Sequence, residues 1–283
     1  NFGPEFDGQP MMAWDGVQRP YLDQGDNYAA LFNSPVSSQF NVAVSNSTDK
    51  GSVRLSLTRQ DNEALSLNSK NSKNIANLNS TFRISKKFRT DLMINYINQN
   101  TDNRPISVDR MINNFTGMMT RFDNGEWYLN RYQTSRGYRF VTGNGQSLTP
   151  EENIIRNGFL GDIADYVWRV NKHRSSEISN RVITSLTNHY QITSDLSFRA
   201  RFSTDFTNRY SEDRIATERP LAFGPSGGFG MMNENFNILY TDFMLNYRKK
   251  LTEDVTLSAM AGYTATKETF NMVSRSTNGG LST

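Results

Sequence analysis

The sequence predicts an all-β fold, an antiparallel transmembrane β-barrel segment of about eight strands with long loops that contain short helices. Three observations predict it. Apolar and polar side chains alternate every second residue, connections are short at one end of the strands and long at the other, and aromatic residues gather near strand ends. The alternation is clearest at 195–206. Leu196, Phe198, Ala200, Phe202, Thr204 and Phe206 share one face, and Asp195, Ser197, Arg199, Arg201, Ser203 and Asp205 share the other. Successive strand residues point to opposite sides, so this segment has one apolar and one strongly polar surface.

In chain order, residues 1–35 are irregular and form the first long loop, read as extracellular. Strands follow at 40–45 (Phe40, Val42, Val44), 52–58 (Val53, Leu55, Leu57), 76–84 (Ala76, Leu78, Phe82, Ile84) and 88–97. The segment 36–100 is therefore barrel wall. Residues 101–176 form a second, much longer extracellular loop, and 177–283 return to wall, with strands at 178–192, 195–206, 237–251 and 255–265. Asn180 and Asn188 interrupt the apolar face of 178–192. Strands pair through short polar turns at 48–51, 85–87, 193–195 and 252–254. The other connections, at 62–73, 101–176 and 209–235, are long. That asymmetry is the pattern of an outer-membrane barrel, with all four segments in one barrel domain.

Tyr96, Tyr190, Phe206, Tyr240, Tyr247 and Tyr263 lie where aromatic girdles would meet the two membrane interfaces. Aromatics make up 12% of the chain although hydrophobic residues are only 36%, which suits an apolar outside and a wet inside. A soluble β-sandwich also alternates, and the residue pattern alone leaves that architecture open. Within the long loop, Thr149-Pro150-Glu151-Glu152 has the form of a capping box with a proline start. Ile154, Ile155, Ile163, Tyr166, Val167 and Val170 would supply its buried stripe, with Gly158 and Gly161 expected to break it. Met111, Phe115, Met118 and Phe122 predict another short helix over 109–122.

Composition excludes several chemistries. With no cysteine and only His173 and His189, disulfides, thiolate metal sites and most catalytic triads have no donors. A net charge of +3 does not call for nucleic acid. The glycine-rich run 224–230 lacks the lysine and the strand–helix setting of a phosphate loop. Arg199, Arg201 and Asp205 read as polar barrel wall. No residue set argues for an enzyme, a metal or a cofactor. The binding candidates are loop aromatics: Trp14, Tyr21, Tyr28 and Trp168, and above all Trp127, Tyr128, Tyr132 and Tyr138. Glu126-Trp-Tyr-Leu-Asn-Arg-Tyr132 packs three aromatics and two charges into seven residues, the composition of an interface anchor. Such residues also build the cores that large loops need.

The opening carries a resemblance. Asn1-Phe-Gly-Pro-Glu-Phe-Asp-Gly-Gln9 resembles the Trp/Phe-Gly-Pro-x-x-Asp-Gly-Gln signature of SusC/RagA-type TonB-linked outer-membrane transporters. Asp15-Gly-Val-Gln-Arg-Pro-Tyr21, Asp26-Asn-Tyr-Ala-Ala-Leu-Phe32, the hairpin from Phe40 to Leu57 and Arg104-Pro105 are similar to segments that follow it there. Phe2 stands where Trp is frequent, and Glu5 where Lys is common. The resemblance implies a barrel of about twenty-two strands filled by a plug, of which this chain would be an interior piece, roughly its second to ninth strands. No signal peptide, TonB box or plug is expected within this chain. The family resemblance further implies a Gram-negative outer membrane with its lipid, a SusD-like surface lipoprotein as partner, TonB acting through the missing N-terminal region, and uptake of glycans or peptides. A small complete eight-stranded barrel acting as a structural protein or adhesin, and a secreted glycan-binding sandwich, are the alternatives.

Overall fold

The computed structural model describes residues 3–106, 118–140, 152 and 159–281. Eight strands form a single antiparallel sheet in chain order: β3 (Ser37–Thr48), β4 (Gly51–Glu63), β5 (Lys70–Arg83), β6 (Phe88–Asp102), β7 (Arg174–Gln191), β8 (Leu196–Ile215), β9 (Gly228–Lys250) and β10 (Thr256–Ser276). Before them, β1 (Pro10–Met12) and β2 (Gln18–Pro20) make a small separate hairpin. The sheet does not close on itself among the described residues. β3 and β10 are its two edges.

All eight wall strands lie where alternation predicts them, but they run further at the long-loop end. The connections expected at 62–73 and 209–235 shrink to 64–69 and 216–227. The reason is visible in the register. Apolar alternation stops where the apolar face stops, while pairing continues through polar residues. One face carries the row Leu57–Ala76–Tyr96–Val182–Phe206, each directly opposite the next. Two residues further along each strand, the same face carries Asn74, Asn98, Asn180 and Asn208 in direct register, continued by Asn235 and Asn271. The amides bond across strands. Asn98 Nδ2 donates to Asn180 Oδ1 at 2.9 Å, and Asn208 Nδ2 donates to Asn235 Oδ1 at 2.9 Å. Asn180, which looked from sequence like a flaw in the apolar face, is a rung of this ladder.

The sheet buries little on its apolar side. Phe40 is 69% exposed and Val44 71%. The dry core lies instead in the loops. Helix α1 (Gly125–Asn130) and helix α2 (Gly161–Lys172) pack with the 1–35 segment around Trp14, Leu31, Tyr128, Ile163, Tyr166, Val167 and Val170. The buried stripe expected from Ile163 to Val170 is present on α2. Gly161 does not break that helix as expected but begins it, at a position where few intrahelical contacts are lost. Of the helix predicted over 109–122, only 118–122 are described, and they are irregular. Residues 109–117, Thr149 to Glu151, Ile154, Ile155 and Gly158 lie outside the described residues.

Candidate functional site

Two surfaces position chemistry-bearing side chains: the loop cap and the polar face of the wall. In the cap, the β1–β2 hairpin brings Trp14 and Asp15 over α1. The buried Asp123 carboxylate accepts from Trp14 Nε1 at 3.2 Å, from the Tyr128 hydroxyl at 3.1 Å and from the Asn124 amide at 2.8 Å. The Leu160 amide donates to the Tyr128 oxygen at 3.0 Å, and Tyr166 OH donates to the Leu31 carbonyl at 3.0 Å. These bonds tie three loop segments together. Asn124 caps α1, its side chain accepting from the Glu126 amide at 2.9 Å. Gly125 is required beside it, because a Cβ there would stand 2.7 Å from Leu31 Cγ.

Burial raises the Asp123 pKa above the usual carboxylate value, and its three donors recover only part of that cost. The Tyr128 hydroxyl is pushed up as well, by burial and then by the neighbouring Asp123 charge. Asp15 goes the other way. Partial burial would raise it, but the bidentate Arg19 guanidinium (both contacts 2.7 Å) and the Val17 amide hold it below the usual range. Burial lowers His173 at the end of α2, against an opposing pull from Glu218.

The four aromatic candidates all lie on this cap but have different surroundings. Tyr128 is 1% exposed and belongs to its core. Trp127, one residue away on α1, is half-buried against the same core, with the Arg19 guanidinium 4.0 Å above its ring. Tyr132 is half-buried between Trp168, at 6.4 Å, and the Lys172 ammonium, at 5.8 Å. Tyr138 is half-buried, its amide donating to Thr134 Oγ1 at 3.1 Å. The structure therefore spreads Trp127, Tyr132 and Tyr138 over the cap surface and does not converge them on one pocket. What sequence reasoning missed is the tie between Trp14 and Asp123, 109 residues apart, for which no local pattern exists. Of the other loop aromatics, Trp14 and Trp168 are buried, while Tyr21 and Tyr28 are half-buried.

The polar face of the wall is ion-paired. Asp242, 3% exposed, accepts from Arg201 Nε at 2.6 Å and Arg199 Nη2 at 3.0 Å. Asp205 accepts from Arg181 Nε at 2.8 Å. Arg199, Arg201 and Asp205 are thus wall residues on the face opposite the apolar belt. Among the described residues no group of three or more His, Asp or Glu is placed to hold a metal ion. No helix among them is long and apolar enough to cross a membrane, which leaves crossing by strands untouched.

No protein-family model matches the chain, and no curated protein does. Solved structures do. The chain is similar to a structure described as the RagAB peptide transporter, with a TM-score of 0.66 at 15% identity over 92% of this chain and 27% of that one. It is similar also to the RagAB peptide importer in its "closed-closed" state (TM-score 0.64, 13% identity, 90% and 27%) and its "open-open" state (0.66, 15%, 89% and 26%). These likenesses show a shared all-β fold, and the chain spans about a quarter of the length of the structures it matches.

Proposed function

We propose that this chain forms part of the wall and the outer loop cap of a SusC/RagA-type outer-membrane transporter that imports peptides or glycans with TonB-delivered energy and a SusD-like surface lipoprotein. The observation that carries the reading is the two-faced sheet. One side exposes Phe40, Val44 and Tyr263, and the other is laced with ion pairs such as Arg201–Asp242, on a fold shared with a peptide importer. An exposed apolar sheet face needs an apolar solvent, and a wet opposite face needs a lumen. A soluble sandwich would need a second sheet packed on the apolar face, and none is present among the described residues. In this reading the short turns face the periplasm, and the cap, built from the described residues of the first loop and of the 101–176 loop, faces outside. Its gripping residues are Trp127, Tyr132 and Tyr138, while Tyr128 holds the cap together.

The test uses the full-length protein in its own outer membrane. Trp127→Ala combined with Tyr132→Ala is expected to leave barrel assembly intact. It should cut energised uptake of a labelled peptide mixture, or recovery of the lipoprotein, by about tenfold or more, as hot-spot aromatics do. Normal assembly together with undiminished uptake and partner recovery would remove these residues from the mechanism. Absence of any uptake or lipoprotein by the unaltered protein would remove the transport reading itself.

A further inference from the structure

The two edges of the apolar belt are built differently. Across β6 to β9 the short-turn edge carries Phe88, Tyr190, Phe198 and Leu245, each directly opposite the next. Ten residues away on every one of these strands, on the same face, the long-loop edge carries Asn98, Asn180, Asn208 and Asn235, again in direct register. Ten residues of strand are about 33 Å long, and at the usual tilt of spanning strands they rise about 25 Å, the height of an outer-membrane apolar band. No charged side chain lies on this face of β6 to β9 between the two rows. The amides there, Asn188 and Asn237, accept from Thr90 Oγ1 at 2.8 Å and from Thr204 Oγ1 at 3.0 Å.

The amide row has hydrogen-bonding capacity to spare. Asn98 Nδ2 donates to Asn180 Oδ1 and Asn208 Nδ2 to Asn235 Oδ1, each at 2.9 Å. The Asn180 and Asn235 amino groups and Asn208 Oδ1 have no partner among the described residues, and none of the three is a buried atom. Hydrocarbon would leave them unmet. A phosphate fits them poorly, because the first charges beyond the row on these strands are the carboxylates Asp102 and Glu212. Arg174 and Arg214 stand one row further out, and Arg214 is already paired with Glu212. Neutral hydroxyls fit well, since each can both donate and accept, as a row of N–H and C=O groups requires. The row covers three strand spacings, about 14 Å, and on strands tilted by about 35–45° its ends differ in height by about 9 Å. A headgroup that meets all of it must carry hydroxyls at successive depths, as linked sugar rings do.

We propose that the Asn98–Asn180–Asn208–Asn235 row is a docking surface for the sugar headgroup of a glycolipid in the leaflet at the long-loop end. The proposal rests on the reading of this sheet as membrane wall and deepens it by naming the lipid. It draws only on the lipid-facing side, so it holds whatever fills the lumen.

The test places the full-length protein in phosphatidylcholine bilayers. Diglucosyl diacylglycerol, phosphatidylglycerol and phosphatidylcholine, each spin-labelled on an acyl chain, are added in turn. Electron paramagnetic resonance reads the fraction of each that the protein immobilises. The glycolipid is expected to associate about threefold or more tightly than phosphatidylcholine, the effect of roughly one net hydrogen bond. N180A/N208A should remove that preference, and N188A, at the other end of the belt, should keep it. Should the double variant fail to assemble, N180A and N208A are read singly, and each must lower the preference. Equal association of glycolipid and phosphatidylcholine with the unaltered protein overturns the proposal. So does a preference that survives the Asn180 and Asn208 changes, one that is lost in N188A, or tighter association of phosphatidylglycerol than of the glycolipid. An immobilised fraction without sugar preference would sink this site alone. No immobilised fraction of any lipid would sink the wall reading and this site with it.

Discussion

In the loop cap, Leu31, Tyr128, Ile163 and Val167 are at most 1% exposed, whereas on the wall Phe40, Val44 and Tyr263 are 65–71% exposed. The cap places its largest apolar groups inside, as a water-surrounded domain does. The wall turns them outward along its belt, and the pairs level with that belt, such as Arg201–Asp242, lie on its other side. One chain thus contains a region that buries its apolar groups and a region that leaves them uncovered. The difference teaches where stability comes from in each. In the cap it comes from packing between distant segments, and in the wall from cross-strand pairing, to which lipid over the apolar face would add in the proposed reading.

The largest expected effect breaks the cap and spares the wall. Tyr128→Ala removes a fully buried ring from the centre of the cap core and leaves Asp123 with one donor fewer, so a cost of about 3–5 kcal/mol is expected, as for other large aromatic truncations. Limited proteolysis of the full-length protein should then cut within 118–140 while the strands stay protected. Tyr128→Phe keeps the ring and loses only the hydroxyl that joins Asp123 and Leu160, and should cost less, about 1–3 kcal/mol. Loss of the whole barrel with Tyr128→Ala would show that the two regions do not fold separately.

A charge placed on one face of β8 sharpens the same comparison. Phe202 lies on the apolar face opposite Leu186, and Ser203 lies on the polar face opposite Ser185. Phe202→Arg should destabilise the folded barrel in lipid by about 2–4 kcal/mol, the cost of arginine near the middle of a lipid-facing belt, and Ser203→Arg by much less. Reversible denaturant unfolding in bilayers of the full-length protein reads both. Equal effects would mean that the apolar face does not meet lipid.

How legible each region was follows from the range of its contacts. The wall was readable because its rule is local. Phe198 and Arg199 differ by one position and therefore by face, and eight strands in chain order follow from that period and from short turns. The strand ends were not readable because the rule there changes from apolar alternation to amide pairing, and Asn180 seen alone looks like an interruption. In the cap, Trp127 and Tyr128 are equally aromatic neighbours. Which one is buried depends on Trp14 and Leu31, brought in from the first loop, and no pattern within 101–176 records that. Arg83, Arg89, His189 and Arg199 are the same kind of case, since they stand opposite one another on the polar face only once three registers are fixed.

The smallest effect concerns the long-loop border of the apolar belt. Asn180 accepts from Asn98 Nδ2 at 2.9 Å and from Tyr96 OH at 3.0 Å, two residues beyond Val182 in the apolar belt. Asn180→Ala removes the one oxygen, Oδ1, that accepts both bonds. If this rung sits among hydrated headgroups, water or lipid polar groups replace the lost partners, and the cost should stay within about 0.2–1 kcal/mol, the range for one cross-strand pair. If the rung sits inside hydrocarbon, the freed Asn98 amide and Tyr96 hydroxyl have no replacement, and the cost should rise to about 1–3 kcal/mol or more. The first outcome is expected, because at Asn74 the ladder begins with a bond from Arg59 Nη1 at 3.0 Å, and Arg59 also pairs with Asp61 on the same face. Charges of both signs beside the first rung are hard to reconcile with hydrocarbon there. Unfolding of Asn180→Ala in bilayers of two thicknesses would decide it. A cost that grows in the thicker bilayer would place the amides at the moving edge of the apolar slab, and a cost that is large in both would place them within it.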